Sequence, residues 1–103
     1  MVDLESARRV IRFKKELQAY KAQRNDVRDV KRMLCEDAEK LEEGTSGYDP
    51  SDPQIADIKF RAKKLRDASN RLERKEEYLN HRIAIAEEDL RQADMDFKNS
   101  CRS

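Results

Sequence analysis

Residues 55–97 read IADIKFRAKKLRDASNRLERKEEYLNHRIAIAEEDLRQADMDF, and this stretch decides the fold. Apolar or small residues recur in it at alternating steps of three and four: Ile55, Ile58, Ala62, Leu65, Ser69, Leu72, then Leu79, Ile83, Ala86, Leu90, Ala93 and Phe97. One place in the series, Glu76, is charged. Side chains three and four apart stack on one helix face, and a repeat averaging 3.5 turns that face into a supercoiling seam. About six consecutive heptads exceed the three or four that argue for a coiled coil. Read outward, the rest of the chain is a partner for this seam, a turn that brings the partner round, and the solvated backs of both.

The partner lies upstream. Val10, Phe13, Leu17, Tyr20, Val27, Leu34, Ala38 and Leu41 repeat the three–four spacing, with Arg24 and Lys31 at the two seam places that are not apolar. No Pro or Gly interrupts residues 2 to 43. Asp3 is a candidate N-cap, with acidic Glu5 in the first turn. The pattern predicts a helix over about 3–43, roughly 60 Å long at 1.5 Å per residue. Leu4, Ala7, Ile11, Val30 and Met33 sit just off the seam and are expected to broaden it.

From Gly44 to Pro53 the composition changes to Gly, Thr, Ser, Tyr, Asp and Pro, the one clear break in the chain. Gly44 is the expected C-cap, since glycine takes positive φ without a Cβ penalty. The second helix, about 53–99, starts either from a Ser51–Gln54 capping box or from Asp52 as N-cap with Pro53 in the first helical position. A turn over 44–52 between two long helices implies an antiparallel hairpin. Setting Leu41 against Ile58 makes partner numbers add to 99–100. Leu34 then meets Leu65, Lys31 meets Ser69, and Arg24 meets Glu76. A charge in a seam is tolerated when it is paired, and such pairs fix register. An Arg24–Glu76 contact is therefore expected. Residues 1–103 read as a single all-α domain, an antiparallel helical hairpin of coiled-coil type. In an alternative, the polar Asn80-His81-Arg82 cluster, with its poor helix propensity, breaks the second helix near Asn80–Glu87 and yields a three-helix bundle.

The composition fits this architecture. Of 103 residues, 44% are charged and 37% hydrophobic, with 6% aromatic, two Gly and two Pro. A net charge of +1 with both signs interspersed points away from a nucleic-acid or anionic-membrane footprint. There is no apolar run near 18 residues, and the N-terminus lacks the order of a signal peptide, so an intracellular home is expected. Cys35 and Cys101 fall at opposite ends of the proposed hairpin and are expected to stay reduced. With no CxxC spacing and no neighbouring histidine, they make a poor zinc site.

No catalytic constellation is found. His81 is the only histidine, no phosphate loop surrounds Gly44 or Gly47, and the acidic pairs Glu42-Glu43, Glu76-Glu77 and Glu87-Glu88 read as helix surface. Neither an enzyme nor a cofactor or metal site is expected. Off-seam apolar residues (Ile11, Val30, Met33, Phe60, Tyr78 and Ile85) exceed what a two-stranded seam hides. They suggest self-association, packing of a third helix, or a docking face for another protein, and the chain is expected to be a monomer or a homodimer.

Several segments carry a resemblance. Arg12-Phe13-Lys14-Lys15-Glu16 followed by Tyr20, Met33-Leu34-Cys35-Glu36-Asp37, Tyr48-Asp49, Arg71-Leu72-Glu73, and Glu88-Asp89-Leu90 with Ala93 and Phe97-Lys98 occur in the same order as similar segments of tubulin-binding cofactor A. The chain thus resembles that family over most of its length. The resemblance implies a three-helix bundle acting as a non-catalytic chaperone, cytoplasmic and cytoskeleton-associated. Such a chaperone captures β-tubulin on a helical surface and keeps it competent for heterodimer assembly. Lys15, Glu16, Tyr20, Tyr48 and Asp49, which match the family motifs, are the partner-binding candidates. The competing reading is a coiled-coil dimerisation or adaptor protein, such as a small regulatory or phage-type inhibitor that occupies a groove on another protein. A prefoldin-like hairpin fits less well, because Gly44–Pro53 lacks alternating apolar residues.

Overall fold

The computed structural model describes residues 3–102 and contains two helices, α1 (Leu4–Glu43) and α2 (Pro53–Arg102). The fold is an all-α helical hairpin. The two helices are shared between two compact units: Asp26–Glu76, which holds the turn, and a unit pairing the chain up to Asn25 with the chain from Glu77 onward. In each unit an α1 segment packs antiparallel to an α2 segment.

Local chemistry sets the helix ends. Asp3 caps α1: its Oδ1 accepts from the Glu5 N–H at 3.1 Å, its Oδ2 from the Ser6 hydroxyl at 2.7 Å, and its carbonyl from the Ala7 N–H. The Ser6 hydroxyl, followed by the Glu5 N–H, holds the Asp3 carboxyl below its ordinary pKa. Asp52 is the N-cap of α2. Its Oδ1 accepts from the Gln54 N–H at 2.9 Å and its carbonyl from the Ala56 N–H at 3.0 Å, which leaves Pro53 in the first helical position. The Asp52 alternative is therefore the one realised.

The other end of α1 departs from expectation. Gly44 does not reverse the chain; its N–H still donates to the Lys40 carbonyl at 3.1 Å. Thr45 and Ser46 then donate to the carbonyls of Glu42 and Glu43, three residues back, tightening the last turn. Thr45 is buried, and its hydroxyl donates to the Glu42 carbonyl at 2.7 Å. The positive φ falls at Gly47, at 86°. Asp49 then builds an Asx turn by accepting from the Ser51 N–H at 2.9 Å.

The core is the seam read from the sequence. Val10, Val27, Ala38, Ile55, Ala62, Leu79, Ile83, Ala86 and Ala93 are buried, Ser69 with them, and the remaining seam positions are half-buried. Leu4, Ile11, Val30 and Met33 do not broaden this stripe, because all four are exposed. The described part of α2 runs through Asn80–Glu87 without interruption, so the three-helix alternative is not formed. The seam explains this. Leu79, Ile83 and Ala86 keep the three–four spacing across the polar cluster, and their burial outweighs the weak propensities of Asn80 and His81.

Axial register is a further correction. In the turn-bearing unit, Arg28 pairs with Glu76 and Cys35 with Ser69; in the other unit, Arg24 pairs with Asn80. In each case the residue numbers add to 104 rather than 99–100. The helices are thus slid by about four residues, one helical turn. A one-turn slide keeps stripe against stripe, so periodicity alone does not oppose it. The helical path continued through Thr45 and Ser46 and the paired charges described below select it.

Candidate protein-binding surfaces

Seam and surface carry different chemistry, beginning with the charged places in the seam. Glu76 does not take Arg24. Its Oε1 accepts from Lys31 Nζ at 3.2 Å and its Oε2 from Arg28 Nε at 3.4 Å. The slid register gives this carboxylate two cations in place of one. Lys31, followed by Arg28, holds the Glu76 pKa below its ordinary value. Arg24 donates through Nη1 to Asn80 Oδ1 at 3.5 Å, and its buried Nε has no hydrogen-bond partner. Cys35 Sγ and Ser69 Oγ lie 3.2 Å apart, so the small polar residue of the α2 seam faces the thiol rather than Lys31. Arg66 clamps Glu42 with two bonds of 2.9 and 2.8 Å, and this bond lowers the Glu42 pKa and raises that of Arg66.

The motif residues divide by role. Tyr20 is a half-buried seam residue; its hydroxyl accepts from Arg82 Nη2 at 3.2 Å, and the guanidinium lies 5.5 Å from its ring centroid. The bond from Arg82 to Tyr20 is the main cause of the raised Arg82 pKa, and the Glu16 carboxylate adds a smaller share. Tyr20 therefore holds Arg82, whereas Lys15 and Glu16 are exposed. Tyr48 and Asp49 belong to the turn-bearing unit. Tyr48 projects an exposed ring, and Asp49 is occupied with the Ser51 N–H and hydroxyl, which lower its pKa. In this fold, Tyr20 and Asp49 have evident structural work, while Lys15 and Tyr48 are exposed.

The surface shows more. Ile11, Val30, Met33, Phe60, Tyr78 and Ile85, the off-seam apolar residues, are all exposed, together with Leu4, Tyr48 and Met95. Fractional exposures run from 38% at Ile85 to 69% at Leu4. Phe60 carries Lys64 Nζ at 4.7 Å over its ring. Met95 was not singled out from the sequence. It shares with Phe60 the heptad position farthest from the seam, where a coiled coil is ordinarily polar, and that position was the signal to look for. In the unit that joins the N-terminal part of α1 to the C-terminal part of α2, a shallow groove is lined by Ala7, Val10, Ile11, Lys14, Asp94 and Phe97. A second groove beside it is lined by Lys14, Leu17, Glu87, Leu90, Arg91 and Asp94.

His81 is exposed, both cysteines are free thiols, and no group of three or more metal-ligating side chains occurs among the described residues. No described helix is long and apolar enough to cross a membrane. No family model matches the chain, and neither curated proteins nor solved structures yield a match.

Proposed function

We propose that this protein is a non-catalytic, protein-binding helical hairpin. The observation that carries the reading is the set of large apolar side chains held 38–69% exposed on otherwise charged helices. Single exposed apolar residues are ordinary, but pairs that recur two turns apart on one helix face, as Leu4 with Ile11 and Tyr78 with Ile85, make a stripe that a docking partner buries. An amphipathic helix or a folded partner laid along these faces would be read through anchors spaced by one or two turns, as Leu4 and Ile11 are on α1 and Tyr78 and Ile85 on α2.

Unassembled β-tubulin is the specific guest suggested by Lys15, Glu16, Tyr20, Tyr48 and Asp49, which would make the protein a cytoplasmic, cytoskeleton-associated folding chaperone. The unbroken α2 favours the second reading, a coiled-coil adaptor or small regulatory inhibitor of another protein, because the cofactor family uses three helices. A pull-down of unassembled β-tubulin by the immobilised chain separates them. Retention at micromolar concentration that falls when Tyr48 and Lys15 are replaced by Ser supports the chaperone. Absence of retention leaves the adaptor reading.

A further inference from the structure

We infer that the outward face of α2 in the turn-bearing unit, which carries Phe60, Lys63, Lys64, Arg71 and Arg74, docks an acidic segment of a partner protein. The inference rests on the protein-binding reading above and gives one contact its chemistry.

The first observation is the charge of this face alone. At about 100° per residue, Phe60, Lys63, Lys64, Asp67, Arg71 and Arg74 lie within about 60° of the direction opposite the seam, and all six are exposed. Four cations against Asp67 give a net +3. Next round the helix in the same unit, Lys59 and Lys75 against Asp57 add one positive charge rather than cancelling any. The outward positions of α1 from Asp29 to Glu43 hold four acids (29, 36, 39, 43) and two bases (32, 40), a net −2. Charge in this unit is thus divided between two faces turned away from each other, and the basic face has no acidic surface laid on it.

The second observation is the absence of pairing. Other helix-surface cations are tied to acids of their own helix: Arg32 to Asp29 and Glu36, Arg61 to Asp57, Arg91 to Glu88 and Lys98 to Asp94. Among the described residues, none of Lys63, Lys64, Arg71 and Arg74 forms an ion pair, although Asp67 stands one turn from both Lys63 and Arg71. Like charges on one helix face repel, and carboxylates brought by a partner relieve that repulsion. Arg71 and Arg74 supply planar forks suited to carboxylates.

The third observation selects the class of partner. Phe60 is 55% exposed and gives the cationic face an apolar anchor, with Lys64 Nζ 4.7 Å over its ring. The ammonium closes one side of that ring to a stacking base, and Asp67 in the middle of the face opposes a phosphate backbone. A protein segment with carboxylates at both ends of the face and an apolar side chain for Phe60 meets every group present. From Lys63 to Arg74 the face runs about 17 Å, three turns of a docked helix.

The test is fluorescence anisotropy of the full chain with a labelled acidic peptide of about 20 residues, Glu three and four apart with one Leu per turn, long enough to cover the face as a helix. Saturable binding is expected, weakening severalfold between about 50 and 300 mM salt. Affinity should fall about tenfold in Arg71→Glu with Arg74→Glu. It should change less than about twofold in Arg8→Glu with Lys21→Glu, which alters net charge equally in the other unit. Circular dichroism checks helicity. Should the first double variant lose it, Arg71→Gln with Arg74→Gln is read in its place, with an expected loss of about threefold. No saturable binding up to about 100 µM, equal losses in the two double variants, or tighter binding of an oligothymidine of the same charge overturns the inference. Each of these outcomes leaves the β-tubulin pull-down and the apolar faces it reads untouched, so failure here is distinct from failure of the protein-binding reading.

Discussion

Replacing Glu76 with Gln tests whether the slid register is held by charge. In the native hairpin the carboxylate takes Lys31 at 3.2 Å and Arg28 at 3.4 Å, and its side chain is only 17% exposed. Lys31, at 23%, is similarly sheltered, whereas Arg28 is half in solvent. An exposed pair is worth about 0.2–1 kcal/mol, and breaking a fully buried pair costs about 3–5 kcal/mol. With one sheltered and one solvated cation, the Gln variant should lose about 1–2 kcal/mol at pH 7. Its amide keeps the shape and the acceptor, so the loss isolates charge. In a domain of this size each kcal/mol lowers the melting temperature by about 4–8 °C. The pH dependence gives an independent check. The folded pKa of Glu76 lies below its ordinary 4.5, so its contribution is full above the unfolded value, near 4.3. It disappears as pH falls through the lower, folded value. The free-energy gap between wild type and Glu76→Gln should therefore be full at neutral pH and shrink as pH falls below the unfolded value. Urea melts from pH 7 to pH 2, run at one protein concentration so that association does not shift the midpoints, read the gap directly. A gap below about 0.3 kcal/mol at pH 7, or one that does not change with pH, would refute the pairing argument.

Three further substitutions probe the seam and the turn. Arg24→Leu removes the buried, unpartnered Nε from the seam and should stabilise the hairpin by about 1 kcal/mol in a thermal melt, because a cation without a carboxylate costs desolvation that leucine avoids. Gly47→Ala should cost about 1–2 kcal/mol despite open space around the new Cβ, since φ at this residue is 86°. Gly44→Ala, whose Cβ would meet the Leu41 carbonyl at an ordinary 3.4 Å, should be neutral or slightly stabilising in the same melt.

Much of this molecule was legible from residue spacing because a heptad pattern states which side of a helix is buried. Every seam position named from the sequence is buried or half-buried, including the polar ones, and the connection over residues 44–52 lies where Gly, Ser and Pro accumulate. The continuity of α2 through Asn80–Glu87 was legible for the same reason, since Leu79, Ile83 and Ala86 keep the stripe intact where local propensity weakens. The off-seam apolar residues were also visible as a surplus, and they are the exposed ones.

Spacing of three and four determines the azimuth of a side chain but says nothing about height along the axis, since sliding one turn returns every residue to the same face. Height was decided by how far the helical path runs into the connection, through Thr45 and Ser46 to the reversal at Gly47, and by tertiary contact, the approach of both Lys31 and Arg28 to Glu76. Those interactions join residues up to 48 positions apart, and their energies depend on distances that no local pattern encodes.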